Sequence, residues 1–155
     1  MAAQTFVGAR AASGVPVFKG VGAGLKQTAY GSFTLTEVPE VGDKYQLCKL
    51  PAGAIPLGGY LAATDIDTGT ETFDMDLGYA ANGVDIADPD AFVNSGVLSG
   101  DAVTDLLAAG MSYRPIIKTS FVALGAETIV EATVVAVAAA GGTGTVSCVI
   151  DYVCP

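Results

Sequence analysis

The sequence predicts an all-β fold, a β-sandwich or jelly-roll-like body with one or two short helices and an extended N-terminal arm. Val, Ile and Thr make up about a quarter of the 155 residues, and these β-branched residues favour strands. The 20 glycines and 7 prolines are enough to place a tight turn after each short strand. Alternating apolar and polar segments recur about every ten residues, a spacing typical of two-sheet domains.

The length fits a single domain preceded by an arm, residues 1–29, with the body over residues 30–155. The arm is rich in glycine, and its apolar residues are isolated or paired, so it has little with which to form its own core. We interpret it as an extended arm or edge strand whose Phe6 and Phe18 insert into another surface. A loosely ordered leader is the alternative.

The first half of the body is predicted to contain strands over residues 30–36, 43–50, 55–66 and 71–79. Gly58 and Gly59 predict a bulge or bend that lets the third strand pass between two sheets. Residues 67–70 predict a hairpin turn. Period-two alternation in the fourth strand predicts a core face of Phe73, Met75, Leu77 and Tyr79 opposite a solvent face of Thr72, Asp74 and Asp76.

The second half begins with helix signals. Asp88 and Pro89 suit the N-cap and first position of a short helix over residues 88–93. Residues 101–109 fit a second short helix or an irregular strand. Further strands are predicted over residues 111–113, 118–124, 127–138 and 145–153, the last two forming a hairpin around a Gly-rich turn. Alternation in the final strand predicts that one face is formed by Val146, Cys148, Ile150 and Tyr152.

The charge distribution argues against nucleic acid as a partner. The formal net charge is -9, which repels phosphate backbones. Residues 1–36 carry +3 and the remainder -12, so the basic arm suits an acidic partner or a neighbouring copy of the body. A membrane partner is not expected either, because the uncharged stretch over residues 132–150 is interrupted by a Gly-rich turn.

Composition also excludes several kinds of active site. The chain has no His and no Trp, which removes Ser-His-Asp and Cys-His nucleophile systems and histidine ligands for zinc or haem. The acidic string over residues 65–71 partly fits a Ca²⁺ loop but lacks the third acidic ligand and the distal Glu, so a solvated hairpin tip is preferred. We expect no catalytic residues, no cofactor and no metal site, and therefore no enzyme.

The three cysteines lack metal-site spacing. Cys148 and Cys154 cannot bridge within one extended strand, where they would lie about 20 Å apart. We interpret all three as small apolar thiols of the interior. A bridge from Cys48 to one of the other two remains open, although synthesis in a cytoplasm argues against it.

Six short sequence segments occur in this order along the body: Gly42-Asp43, then residues 50–54, 64–70, 73–79, 88–92 and 144–152. Over roughly residues 42–153 this arrangement resembles small head proteins of tailed bacteriophages, the decoration or cement class of capsid proteins. The resemblance implies a sandwich or jelly-roll body, commonly a trimer, that binds the capsid exterior where major capsid protein subunits meet. It implies a virion location after synthesis in the host cytoplasm, and no catalytic residues.

The resemblance does not extend to the arm, so contact residues there are chosen on charge and apolar character. The expected partner-binding residues are Phe6, Val7, Arg10, Val17, Phe18, Lys19 and Lys26. Two alternative functions stay open. One is another virion component, such as a head fibre base, tail tube or head-completion protein, and the other is a carbohydrate-binding sandwich module, which the absence of Trp disfavours.

Overall fold

The computed structural model describes residues 3–14, 24–64, 66–69, 72–94, 111–116 and 122–154. Within these ranges the chain forms nine strands. They are β1 (Thr5–Val7), β2 (Gln27–Leu35), β3 (Lys44–Leu50), β4 (Ile55–Thr64), β5 (Asp74–Tyr79), β6 (Asp88–Val93), β7 (Met111–Pro115), β8 (Thr128–Ala136) and β9 (Gly144–Val153).

The strands form two sheets, which confirms the predicted all-β class. One sheet has the order β1-β3-β8-β5-β6 and the other the order β2-β9-β4-β7. Neighbouring strands are antiparallel except β1 and β3, which are parallel. Both sheets contribute to the same hydrophobic core, in which Leu47 and Phe73 lie with Leu61 and Ile150. Each such side chain contributes about 1.5–3 kcal/mol on burial.

Most of the predicted strands are confirmed, with ends that move by a few residues. The inward face of β9 is buried as its alternation predicts. The bulge in β4 is also confirmed, because the register with β9 shifts between Pro56 and Gly58. Gly59 has φ 136, and a Cβ there would lie 2.0 Å from the Val149 carbonyl oxygen, so this position requires glycine. The strand nevertheless stays in one sheet throughout.

The short helix predicted over residues 88–93 is wrong, since this segment is strand β6. It pairs with β5 at Leu77–Val93 and Tyr79–Asp88. Pro89 has no N–H to donate, which suits a strand at the edge of a sheet as well as the start of a helix. The pairing with β5 decides between the two, and Phe92 and Val93 are buried against the core. Residues 101–109, the site of the other predicted helix, lie outside the described residues.

Both predicted hairpins are wrong in the same way. The turn after β4 leads to β5 in the other sheet, and the Gly-rich turn after β8 leads to β9 in the other sheet. These two connections therefore cross between the sheets, and they meet each other at an isolated bridge between Asp67 and Gly141. Alternation predicts that a segment is a strand, but it does not say which strand is its partner.

Two smaller predictions also differ from the structure. Asp74, expected on a solvent face, is buried at a register shift between β5 and β8. A bulge rotates the side chains that follow it, so strict alternation fails there. Of the strand predicted over residues 118–124, residues 122–124 are irregular and the others lie outside the described residues. Within the described part of the chain, no helix is long and apolar enough to cross a membrane.

The sheets come closest where β2 passes β3. Gly31 of β2 faces the backbone of β3, and a Cβ added at Gly31 would lie 2.0 Å from the carbonyl oxygen of Leu47. Facing sheets usually lie about 10 Å apart, so backbone contact of this kind requires a residue without a side chain. Gly31 thus lets the edge strand of one sheet close against the other, and this closed side carries β1 and Arg10 of the predicted arm.

Candidate functional site

The first residues of the predicted arm lie on the body rather than apart from it. Strand β1 pairs with β3, and the Gly8 N–H donates to the Gln46 carbonyl at 2.7 Å. The Gln4 N–H donates to the Asp43 carboxylate at 2.8 Å. Strand β2 begins at Gln27, so the last residues of the predicted arm already belong to the second sheet.

Phe6 is part of an aromatic cluster inside its own domain. Its ring stacks on Tyr45 at a centroid distance of 5.0 Å and lies 5.9 Å from Phe33. Burial, with Asp43 and Glu37 nearby, raises the pKa of Tyr45 to about 12, so its hydroxyl stays neutral. The cluster joins β1, β2 and β3, and it directs the next side chain of β1, Val7, to the exterior with half of its surface exposed.

Arg10 and Lys26 lie on the outer surface beside β2. The Arg10 guanidinium lies 4.4 Å from the centroid of the Tyr30 ring and donates a hydrogen bond to the Tyr30 hydroxyl. Lys26 forms an ion pair with Asp151 at 2.8 Å, and Thr28 donates to the same carboxylate at 2.7 Å. Partial burial opposes ionisation of Asp151, but these contacts outweigh it and lower the pKa of that carboxyl.

We call Val7, Arg10, Lys26 and Tyr30 the arm face. All four are exposed: Arg10 contacts Tyr30 of β2, Lys26 directly precedes β2, and Val7 lies on β1. The arm face combines two cations with an aromatic and an aliphatic side chain, whereas the chain as a whole carries a charge of -9. Such a surface suits a protein partner that offers acidic and apolar groups. The remaining predicted contact residues, Val17, Phe18 and Lys19, lie outside the described residues.

Tyr30 was missing from the predicted contact residues, although the signal for it was present. It is the first residue of an alternating segment whose other members, Ser32 and Thr34, are polar and exposed. A large aromatic on the polar face of a strand is a candidate for binding because that face contributes nothing to the core. The boundary drawn at residue 29 separated it from Arg10, with which it makes contact.

A second exposed apolar set, also absent from the sequence-based prediction, lies in the loops after β5 and before β8. Val84, Ile86 and Val122 are 69%, 87% and 66% exposed. The loop that carries the first two is fixed by side-chain hydrogen bonds. The carboxylate of Asp85 accepts from the Asn82 side chain at 2.6 Å and from the Gly125 N–H at 2.8 Å.

Within the described part of the chain, no group of three or more Asp, Glu or Cys side chains is placed to hold a metal, and Asp65 and Glu71 of the acidic string lie outside that part. Asp67 is instead saturated by backbone N–H donors from both crossover connections. Asp85 is held by the loop contacts just described. These carboxylates therefore have structural partners that account for their positions.

No protein-family model matches the sequence, and no curated protein matches it. Solved structures do share its fold. A chain of the capsid of Ralstonia phage GP4 has a TM-score of 0.72 at 21% identity, over 97% of this chain and 98% of that one. A chain of the cyanophage Pam1 capsid asymmetric unit gives 0.64 at 24%, over 92% and 95%. A chain of the acid-stable capsid of Helicobacter pylori bacteriophage KHP30 gives 0.56 at 19%, over 86% and 91%.

These likenesses establish the fold of the chain. The two-sheet arrangement described above recurs, nearly from end to end, in chains of three phage capsids. Because most of each matched chain is covered as well, those chains are about as long as this one.

Proposed function

We propose that this chain is a structural protein of a phage virion, a decoration protein that binds the outer surface of an icosahedral capsid and stabilises the major capsid protein lattice. The observation that carries the proposal is the fold shared, nearly end to end, with chains of three phage capsids. The order of the segments over residues 42–153 supports the same function.

Charge supports an exterior position. Residues 37–155 carry a formal charge of -12, and a surface of that sign is repelled by packaged DNA. On the outside of a particle the same charge keeps densely arrayed copies soluble. The arm face carries Arg10 and Lys26, of which Lys26 is paired with Asp151, so it is less negative than the chain as a whole and suits an acidic protein partner.

The mechanism is stabilisation by mass action. A ligand that binds only the assembled lattice must dissociate before the lattice can come apart. At a free concentration 100 times the dissociation constant, each occupied site adds about 2.7 kcal/mol. An interface of standard size, about 1,600 Å², is sufficient for such affinity. Symmetry repeats the contribution over every equivalent site, and a trimeric form would multiply it further through simultaneous contacts.

We propose that the first segment makes the contact, to the major capsid protein or to a neighbouring copy. Val7, Arg10 and Lys26 supply exposed groups on the arm face. Phe6 acts through position, because its ring fixes β1 to the body by stacking on Tyr45. Val17, Phe18 and Lys19 complete the proposed contact set in the same segment of sequence.

The decisive experiment is an image reconstruction of virions of the phage that encodes the chain, combined with a measurement of its copy number per particle. We expect two-sheet density on the outside of the shell at repeated lattice positions, with a copy number comparable to that of the major capsid protein. A few copies confined to the neck or tail would assign it to another virion component. Absence from purified virions would overturn the structural role altogether.

The contact surface is tested by neutralising the arm face. The double variant Arg10→Gln, Lys26→Gln is expected to bind undecorated shells about tenfold more weakly, since two charged contacts of roughly 0.5–1 kcal/mol each are lost. Binding is measured by co-sedimentation with shells prepared from a phage lacking this gene. The wild-type affinity should fall as salt is raised, and that of the variant should fall less steeply.

A matched control separates a local contact from an effect of net charge. The variant Thr36→Glu, Ala52→Glu also lowers the net charge by two, but at exposed positions in other loops. It should bind shells as the wild type does. Equal losses in both variants, or none in either, would contradict the assignment of the arm face.

A further inference from the structure

Two thiols face each other across the interior of the domain. Cys48 lies on β3 in one sheet and Cys148 on β9 in the other, and both are buried. Their Sγ atoms are 3.7 Å apart, and the residues are separated by 100 positions in sequence. Neither the arm face nor the proposed capsid contact includes these cysteines, so the proposed function does not explain why they face each other.

The close approach at Gly31 explains why these short side chains meet. Gly31 is the register partner of Cys148 across β2 and β9. A Cβ added at Gly31 would lie 3.2 Å from the Cβ of Cys48, so Cys48 packs directly over that pair of strands. A disulfide needs the sulfurs to approach to about 2.05 Å with Cβ atoms about 3.8 Å apart. Closing the distance between the Sγ atoms from 3.7 Å to about 2.05 Å requires small χ1 rotations of the two cysteines and a slight adjustment of the backbone.

We propose that Cys48 and Cys148 form a reversible disulfide that joins the two sheets when the protein is exposed to an oxidising small-molecule disulfide such as oxidised glutathione. The thiolate of one cysteine attacks a glutathione sulfur, forming a mixed disulfide and releasing one glutathione thiolate. The second cysteine thiolate then attacks the protein sulfur of the mixed disulfide and releases the second glutathione. Both protein thiols are oxidised, and one oxidised glutathione is reduced to two thiols, which take up the two protons that the cysteines lose.

The reaction is expected to be slow in the folded protein. The hydrogen bond with Cys48, together with burial, raises the pKa of Cys148 well above that of a free thiol. Thiolate is the reactive form, so exchange needs local opening of the sheets and accelerates as pH rises. The bond would close a loop of about 100 residues, the kind of crosslink that most restricts the unfolded chain.

The biological timing, unlike the chemistry, rests on the proposed function. A virion protein is made in a reducing cytoplasm, where the pair stays as thiols. After release of the particles the surroundings are oxidising, and the bond then stabilises each bound copy. The experiment below uses the purified protein alone, so its result is independent of whether the chain decorates a capsid.

The test uses full-length protein with Cys154→Ser, which leaves only the facing pair. After incubation in glutathione redox buffers, the protein is denatured, alkylated and weighed by mass spectrometry. We expect a species two hydrogens lighter that takes up no alkyl groups, and a melting temperature higher by about 5–15 °C than that of the reduced form. Adding dithiothreitol should reverse both changes.

Single variants give the controls. Cys48→Ser or Cys148→Ser, each combined with Cys154→Ser, should show neither the mass change nor the rise in melting temperature. The proposal is overturned if the pair stays reduced in buffers that oxidise an exposed dithiol. It is also overturned if the only product is a mixed disulfide with glutathione, or if the bonded form melts no higher than the reduced one.

Discussion

Replacing Asp67 by asparagine is expected to lower the melting temperature by roughly 10 °C, the scale for losing several charge-assisted hydrogen bonds from a domain of this size. The Asp67 side chain is buried at the point where the two crossover connections meet. One carboxylate oxygen, Oδ1, accepts from two backbone N–H groups. The other, Oδ2, accepts from three more and from a hydroxyl. The donors are Gly69, Thr72, Phe73, Ala139 and Ala140.

Asparagine cannot satisfy this arrangement in either orientation. A carboxylate offers two acceptor oxygens, whereas an amide offers one acceptor and one donor. With the amide nitrogen in place of Oδ1, the N–H groups of Gly69 and Ala140 face another donor. In the reverse orientation the donors of Thr72, Phe73 and Ala139 do so. Buried donors left without acceptors are costly, so the connections must separate.

The measurement is thermal and urea unfolding of Asp67→Asn beside the same substitution at a carboxylate on a sheet edge. Asp90, on the edge strand β6, is half-buried, and its carboxylate accepts from the exposed Asn94 side chain. Asp90→Asn should shift the melting temperature by no more than about 2 °C. If the two substitutions have the same small effect, Asp67 does not hold the crossover connections together.

The same group predicts loss of stability in acid. The Thr72 N–H, with the other backbone donors, outweighs burial and holds the pKa of Asp67 well below its usual range. Because the folded-state pKa lies below the unfolded value, about 3.9, the contribution of Asp67 is present above that pH and is lost as pH falls below it. Asp67→Asn should therefore show a shallower decline in unfolding free energy below pH about 4. Part of the decline in unfolding free energy should remain in this variant, because the pKa of Asp151 is also lowered.

The contrast between Asp67 and the strands shows what sequence predicts well. Side-chain alternation reports which face of a strand is buried, and it correctly predicted the inward face of β9. Partner choice depends on contacts far apart in sequence. Asp67 binds Ala139 and Ala140 across more than 70 positions, so no local pattern could distinguish its crossover from a hairpin. The helix predicted at Asp88 failed for the same reason, because pairing with β5 outweighed local capping signals.

The arm was predictable in composition but less so in position. Its charge and glycine content single out Arg10 and Lys26, and both lie exposed on the arm face. Nothing in the local sequence shows that Phe6 stacks on Tyr45, since the two strands are parallel neighbours far apart in the chain. The role of Gly31 could not be predicted from the sequence either, because a glycine within a strand gives the same local pattern whether it faces solvent or another backbone.

Gly31→Ala is expected to destabilise the domain by roughly 3 kcal/mol, at the upper end of the usual cost of overpacking. The new Cβ would lie 2.0 Å from the carbonyl oxygen of Leu47 and 2.5 Å from its carbonyl carbon. Both atoms belong to the backbone of β3, so a side-chain rotation cannot relieve the overlap. Strand β2 must move away from β3, which opens the closed side of the domain.

A glycine in the other part of the same sheet gives a matched control. Gly58 of β4 also lies in a strand, but a Cβ added there meets nothing within 4 Å. Gly58→Ala should change the unfolding free energy, measured in urea, by less than about 1 kcal/mol, because it restricts the unfolded chain without creating a clash. Similar free energies for the two variants would contradict the close approach of β2 to β3.

The displacement of β2 caused by Gly31→Ala should also change two other measured quantities, shell binding and the rate of disulfide formation. Tyr30 and Arg10 sit on β2 and beside it, so shell binding should weaken even at temperatures where the variant is folded. Cys48 and Cys148 should also move apart, since Gly31 is the residue that brings their strands together. Slower disulfide formation with weaker shell binding would show that one close contact between sheets organises both. Loss of stability alone would mean that Gly31 serves only packing.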